Sequence, residues 1–294
     1  MLLGSDGAIA ASAGAPHAPV FPRSAVKPLQ VVGLLRAGLD WDGGDLAVAA
    51  ASHSGEPVHV ARVRAALARA ALTEDALGNT PDLPLDEPSA WAHLRAGGER
   101  DRVHQNCSGK HAAMLATCVT RGWRTDGYLD PDHPVQRAVR AGVEDLAGER
   151  AAHVGVDGCG APLFAISLVA LARAFARLVV SPPGTPGRRV ADAMRAHPEL
   201  VGGRDREVSR LMRGVPGLLA KDGAEAVFAA ATPAGDAVAL KIADGGSRGR
   251  VPVLVAALRT LGVDAPVLDE LARRPVCGGG RVVGEIRARP VALT

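Results

Sequence analysis

Lysine is almost missing from this chain. Of its 34 basic residues only Lys27, Lys110, Lys221 and Lys241 are lysines; the rest are arginines. Arginine keeps its charge at any workable pH, whereas a desolvated lysine amine can serve as base, nucleophile or ligand. A lysine retained where arginine is the default cation is therefore a candidate for chemistry. Aromatic residues make up only 3% of the chain. That excludes an aromatic stacking surface for nucleic acid and leaves Ala, Val and Leu to build the core. Basic residues never run longer than a pair and the net charge is only +3, so neither nucleic acid nor an anionic membrane is an expected partner. No apolar stretch runs to ~18 residues without a charge, so no membrane-spanning helix is expected. No basic segment precedes an apolar run near the start, and Asp6 comes early, which argues against a secretory signal. A cytoplasmic enzyme is the expectation. The four cysteines, Cys107, Cys118, Cys159 and Cys277, lack a small secreted-domain pattern and read as thiols or metal ligands before disulfides.

What is abundant points to a globular fold. Hydrophobic residues are 47% and charged residues 22%, enough for a sizeable core and too apolar for disorder. A single catalytic domain over residues 1–294, built of one body or two closely packed lobes, fits the length. Apolar spacings of three and four predict a helix from Ser24, with Pro28 tolerable in its first turn. Further helices are expected at 45–51, 56–72, 110–120, 133–147, 163–178, 188–196 and 250–261. Strands are expected at 153–156, 226–231, 237–242 and 281–286, with a weakly patterned strand within 1–19. Pro233-Ala234-Gly235-Asp236 reads as a hairpin turn, and 79–89, with its three prolines, as a loop. The fold class is α+β, helices packed on a mostly antiparallel sheet.

Five segments hold the candidate chemistry. Ser24 and Lys27 lie one helical turn apart, close enough for an amine to take a hydroxyl proton at a helix N-terminus. The plain alternative is a serine cap beside an exposed lysine. Ser52-His53-Ser54-Gly55-Glu56 offers a second serine and backbone donors, or else Ser54 merely caps the next helix. Asn106-Cys107-Ser108-Gly109-Lys110-His111 concentrates a thiol, an amine and an imidazole. A phosphate-binding loop is not expected there, because its first glycine position holds His104. A cysteine at a helix start beside Lys and His suits a nucleophile or a metal ligand, against a buried structural cysteine. Asp157-Gly158-Cys159-Gly160 adds a carboxylate and a second thiol, although spacing alone makes no zinc motif. Lys221 and Lys241 stand on the strand-like segments that follow.

Taken in order, Arg23-Ser24-x-x-Lys27, Ala51-Ser52-His53-x-Gly55-Glu56-Pro57, Asn106–His111, Asp157–Gly160 and Lys221-x-Gly223-Ala224-Glu225 resemble the Rhizobium-type L-asparaginases, the asparaginase II family. The likeness extends from about Phe21 to Ile286. It implies a fold related to serine β-lactamases and glutaminases, a homodimer, and hydrolysis of L-asparagine to L-aspartate and ammonia. By the same likeness Ser24 with Lys27 and Ser52 with Lys221 are two Ser-Lys pairs. Cys107, Lys110 and Cys159 would bind zinc, with Asp157 beside them, and Arg23 and His111 would hold the substrate's charged ends. The chain departs from the family pattern at Asp222, where Thr is usual, and at Ala226, where Gly is usual. An acid beside Lys221 would favour its protonated form. Lys241 competes with Lys221 for the second pair, and Lys221 ranks first.

The mechanism expected is attack by Ser24 on the side-chain amide, with Lys27 as base and Ser52 and Lys221 relaying protons. Attack by Ser52 would call on the same residues. A penicillin-recognising type of serine hydrolase, and a non-catalytic zinc or thiol protein, are the competing readings.

Overall fold

The computed structural model describes residues 1–289; positions 290–294 of the expected domain lie outside the described residues. Its centre is a five-stranded antiparallel sheet in the order Ile9–Ala11, Leu2–Leu3, Ala237–Lys241, Val227–Ala231, Leu219–Gly223. The three later strands form a meander. The Thr232–Asp236 turn closes one hairpin, with the Thr232 N–H donating to Asp236 O at 2.8 Å. Val227–Ala231 shows no apolar/polar alternation and every one of its residues is buried. The helices Leu168–Val180 and Arg250–Thr260 both pack on it. A strand covered on both faces reads as a continuous apolar run.

The remaining helices form a second layer of packing. Lys27–Arg36 lies against Pro134–Ala147, and Gly43–Ala49 against both Ser108–Arg121 and Pro186–Ala196. Gly109, in the first turn of Ser108–Arg121, makes one of these contacts close. A Cβ there would fall 2.3 Å from the carbonyl oxygen of Val48, so only glycine lets this helix start where it does. That contact sets the position of Lys110, the next residue.

The α+β class and most of the expected elements are present. The expected helix over 163–178 is not continuous. Pro162–Phe164 pairs with Val154–Val156, and Ile166–Ser167 with Pro19–Val20. The helix begins only at Leu168, where the Ser167 side chain accepts the Ala170 N–H. A short apolar run carries no period to separate strand from helix. The terminal strand, Arg281–Arg287, has an unexpected partner in Arg273–Gly278. Gly279 and Gly280 both have positive φ and make their two-residue turn. No helix among the described residues is long and apolar enough to cross a membrane.

Candidate active site

Three of the four lysines, Lys27, Lys110 and Lys221, are buried. Solvated charge is the usual state of a lysine, so each of these needs an explanation. Lys27 opens the Lys27–Arg36 helix after a 3₁₀ turn over Arg23–Val26. Ser24 makes no capping bond and Lys27 is not exposed, so neither half of the plain alternative holds. The Lys27 amine donates to the Ala51 carbonyl at 2.5 Å and to Ser52 Oγ at 3.1 Å. Among the described residues no hydrogen bond joins it to Ser24, which is half-buried one turn away.

Ser52 is the meeting point. Its segment is held in place by the Ser52 N–H on Val201 O at 3.1 Å and the His53 N–H on Asn106 O at 3.2 Å. Its hydroxyl lies 3.1 Å from Lys27 Nζ and also 3.1 Å from Lys221 Nζ. Lys221 comes from the strand Leu219–Gly223, at the end of the sheet. Its amine also donates to the Asp222 carbonyl at 2.8 Å and to Asp222 Oδ1 at 2.9 Å. The competitor, Lys241, turns away to Glu225, so the structure places Lys221 at the second serine.

Burial lowers Lys221 to about 8, with Lys27 pushing the same way and Asp222 resisting. The carboxylate therefore does not fix this amine as a cation. It is shared: Asp222 also pairs with Arg206 and lies 3.7 Å from Arg250. Despite burial, Arg206 and then Lys221 hold Asp222 well below the usual carboxylate range. Arg206 also donates to the Ser52 carbonyl at 2.5 Å, so one guanidinium ties the second serine to the acid beside the second lysine. Sequence reasoning missed Arg206, since nothing distinguishes it from the other arginines.

The loop 51–56 does not follow its plain reading either. Ser54 donates to Gly202 O at 2.6 Å instead of capping the helix Pro57–Arg69. His53 is buried, accepts the Gly55 N–H on Nδ1 and meets Ser108 Oγ at 2.9 Å through Nε2. Burial holds it well below its usual range, as a neutral ring.

The thiols form a second cluster. Lys110 Nζ lies 3.3 Å from Cys159 Sγ, and Cys159 Sγ lies 4.0 Å from Asp157 Oδ2. A hydrogen bond from Cys159 draws the Cys107 thiol well below its ordinary range, against the effect of burial, with Lys27 and Lys110 assisting. The same bond pushes Cys159 up. Two buried thiols and a buried amine converge here with no apolar reason to do so. Two sulfurs and a nitrogen are a donor set that zinc accepts. Cys107, Lys110 and Cys159 thus fit the ion as a group. Cys118 stands apart, and burial pushes its thiol up to about 11.

Asp157 links this cluster to Arg23. The guanidinium Nε lies 2.7 Å from Asp157 Oδ1 and also pairs with Glu225. Arg23 adopts φ 50°, a left-handed backbone that is strained for such a side chain. His111 is fully buried. The hydroxyl of Tyr128, the only tyrosine, accepts the Gly78 N–H at 2.8 Å and meets His111 Nδ1 at 2.6 Å. His111 Nε2, the other ring nitrogen, is a buried atom without a partner among the described residues. No hydrogen bond joins Arg23 to His111 among the described residues.

The family model for L-asparaginase II matches residues 1–288 of the chain. No curated protein matches it.

Proposed function

The chain belongs to the L-asparaginase II family and is an amidohydrolase; from that membership we propose that it hydrolyses the side-chain amide of L-asparagine at the Ser24–Lys27–Ser52–Lys221 cluster. The observation that carries this reading is the single hydroxyl, Ser52 Oγ, set 3.1 Å from each of two buried lysine amines. No structural need of an Ala/Val/Leu core would put two cations there.

As a neutral amine, Lys27 has two N–H bonds and one lone pair. Ala51 O and Ser52 Oγ accept the two N–H bonds. The lone pair is left for the proton of Ser24 as its oxygen attacks the amide carbon. Neutral Lys221 repeats the pattern, with its N–H bonds on Asp222 O and Oδ1 and its lone pair toward the Ser52 hydroxyl. A proton can thus pass from Ser24 to Lys27, with Ser52 and Lys221 buffering the charge. Lys27 returns that proton to the leaving nitrogen, giving ammonia and a Ser24 ester. Water then splits the ester and restores the Ser24 hydroxyl. Attack by Ser52 itself is the second reading, favoured by its two lysine contacts.

Substrate binding follows from the Arg23–Asp157 ion pair. An α-amino acid carries both charges of that pair, so its carboxylate goes to Arg23 and its ammonium to Asp157. His111 Nε2, without a partner among the described residues, is the ring nitrogen left for a polar atom of the substrate. Cys107, Lys110 and Cys159 would hold a zinc ion, which supplies a fixed positive charge beside Asp157 when bound. The finer fold reading, serine β-lactamase-like, is supported by the packing of the Ser24 turn on the end strand that carries Lys221. There a Cβ on Gly223 would fall 2.6 Å from the Pro22 carbonyl.

Ammonia release over a panel of amino-acid amides tests the function. Asparagine should be turned over and a chromogenic β-lactam left intact; the reverse result removes the reading. The pH profile tests the lysines. An amine lowered to about 8 is neutral only above that pH, so activity should rise through pH 8. Asp222→Asn or Asp222→Thr removes the carboxylate that resists this lowering. The acidic limb should then move to lower pH. A limb that stays in place in both variants would show that Lys221 deprotonation does not govern turnover.

A further inference from the structure

Away from the lysine cluster, two imidazoles and a carboxylate converge on one point. His93 stands near the end of the helix Glu87–Arg95, while Asp101 and His104 lie on the loop that leads into Ser108–Arg121. His104 Nδ1 is 2.7 Å from Asp101 Oδ2, and His93 Nε2 is 3.7 Å from that same oxygen. One ligand atom from each residue lies within 4.8 Å of the other two. The ring centroids of the histidines are 4.1 Å apart. Three ligands bonded to one tetrahedral zinc at ~2.1 Å stand about 3.4 Å from each other, and the distances here bracket that value.

The convergence is held from behind. The backbones of Asp82 and Asp101 exchange both hydrogen bonds, at 2.9 and 3.2 Å. The His104 N–H donates to Asp101 Oδ1 at 2.8 Å. Gly98 lets the loop lie over the first imidazole, since a Cβ there would fall 2.3 Å from His93 Cε1. His93 and His104 also line a cavity of ≈720 Å³, together with Gly55, Val60, Pro84 and Pro88. Water can reach the point from that side and fill coordination positions the protein leaves open.

We propose that His93, Asp101 and His104 bind one divalent transition-metal ion of the zinc, cobalt and nickel class, at a site sharing no ligand with the thiol cluster. Two imidazoles and one carboxylate with open positions suit such ions, and the absence of sulfur separates the two sites by ligand chemistry. Binding requires each ring to present a lone pair. His93 Nε2 now meets Glu99 O at 2.7 Å, and His104 Nδ1 meets Asp101. The proton of each ring moves to its other nitrogen, for neither His93 Nδ1 nor His104 Nε2 has a protein partner among the described residues. An ion bound there pins the helix Glu87–Arg95 to the loop that ends at Cys107.

Cobalt(II) titration of the metal-stripped protein tests this, because thiolate-bound cobalt shows a charge-transfer band and cobalt held by nitrogen and oxygen does not. The double variant Cys107→Ser/Cys159→Ser should still bind a single cobalt ion, without that band. Adding His93→Ala or His104→Ala should weaken this binding by about tenfold or more, since even outer-shell partners of a metal site carry effects of about 10–100-fold. Loss of all cobalt binding in a folded double-cysteine variant would overturn the proposal, as would unchanged affinity after both histidine substitutions. Should the cysteine variant not fold, stoichiometry decides instead. Two ions are expected with both cysteines intact and one in His93→Ala, whereas one ion in both proteins overturns the site.

Discussion

Lys27→Arg is expected to lower asparagine turnover by about 10²-fold or more, nearly as far as Lys27→Ala. Arginine keeps the positive charge and removes only the ability to accept a proton. The comparison therefore separates a base from an electrostatic anchor. Lys27 is buried, with its amine on Ala51 O and Ser52 Oγ, so nearby solvent offers no substitute base. Ser24→Ala should be equally inactive. Ser52→Ala breaks the path to Lys221 but leaves Ser24, so it should slow the cycle and allow an acyl group to be trapped. Mass spectrometry of the quenched enzyme should find that group on the Ser24 peptide. Finding it on the Ser52 peptide would reverse the roles of the two serines. Retention of more than about a tenth of activity in Lys27→Arg would remove Lys27 as the base.

Cys107→Ser and Cys159→Ser should each lose the thiolate-bound zinc. Sulfur dominates the affinity of a borderline-soft ion, so loss of one of three protein ligands weakens binding by orders of magnitude. The readouts are a fall in the zinc-to-protein ratio and disappearance of the thiolate band when cobalt replaces zinc. Affinity should also rise with pH, because both thiols and the Lys110 amine must shed protons to bind. Zinc content that stays the same in both variants would make these cysteines packing residues.

The sequence exposed the chemistry-bearing residues better than the network around them. Lysine scarcity singled out four positions, and three are buried at the clusters described. It said nothing of their partners. The one-turn spacing of Ser24 and Lys27 was readable, but the hydrogen bond from that amine to Ser52 was not. That contact depends on how the segment 51–53 is threaded between Val201 and Asn106, a long-range fact without local signature. Asp222 reads as a counter-ion of Lys221 and does pair with it, but Arg206 and Arg250, which share its charge, had no local signature. The longer helices and the 227–241 hairpin were legible because period and turn chemistry are local, whereas the short helices Glu87–Arg95, Glu207–Gly214 and Pro266–Leu271 were not expected. The strands at 162–167 were not, being too short to show a period.

The short strand Leu2–Leu3 fixes an order of events. It sits between Ile9–Ala11 and Ala237–Lys241, so its second partner is made more than two hundred residues later. Such non-local pairing is slow to form, while the helices between can settle early on local contacts. During synthesis Ser24, Lys27 and Ser52 emerge long before Lys221, and the sheet that carries Lys221 can close only once Ala237–Lys241 has been made. A partly made chain therefore holds Ser24, Lys27 and Ser52 without the second amine. A nascent chain passes through its long helical stage before the two amines can meet at Ser52.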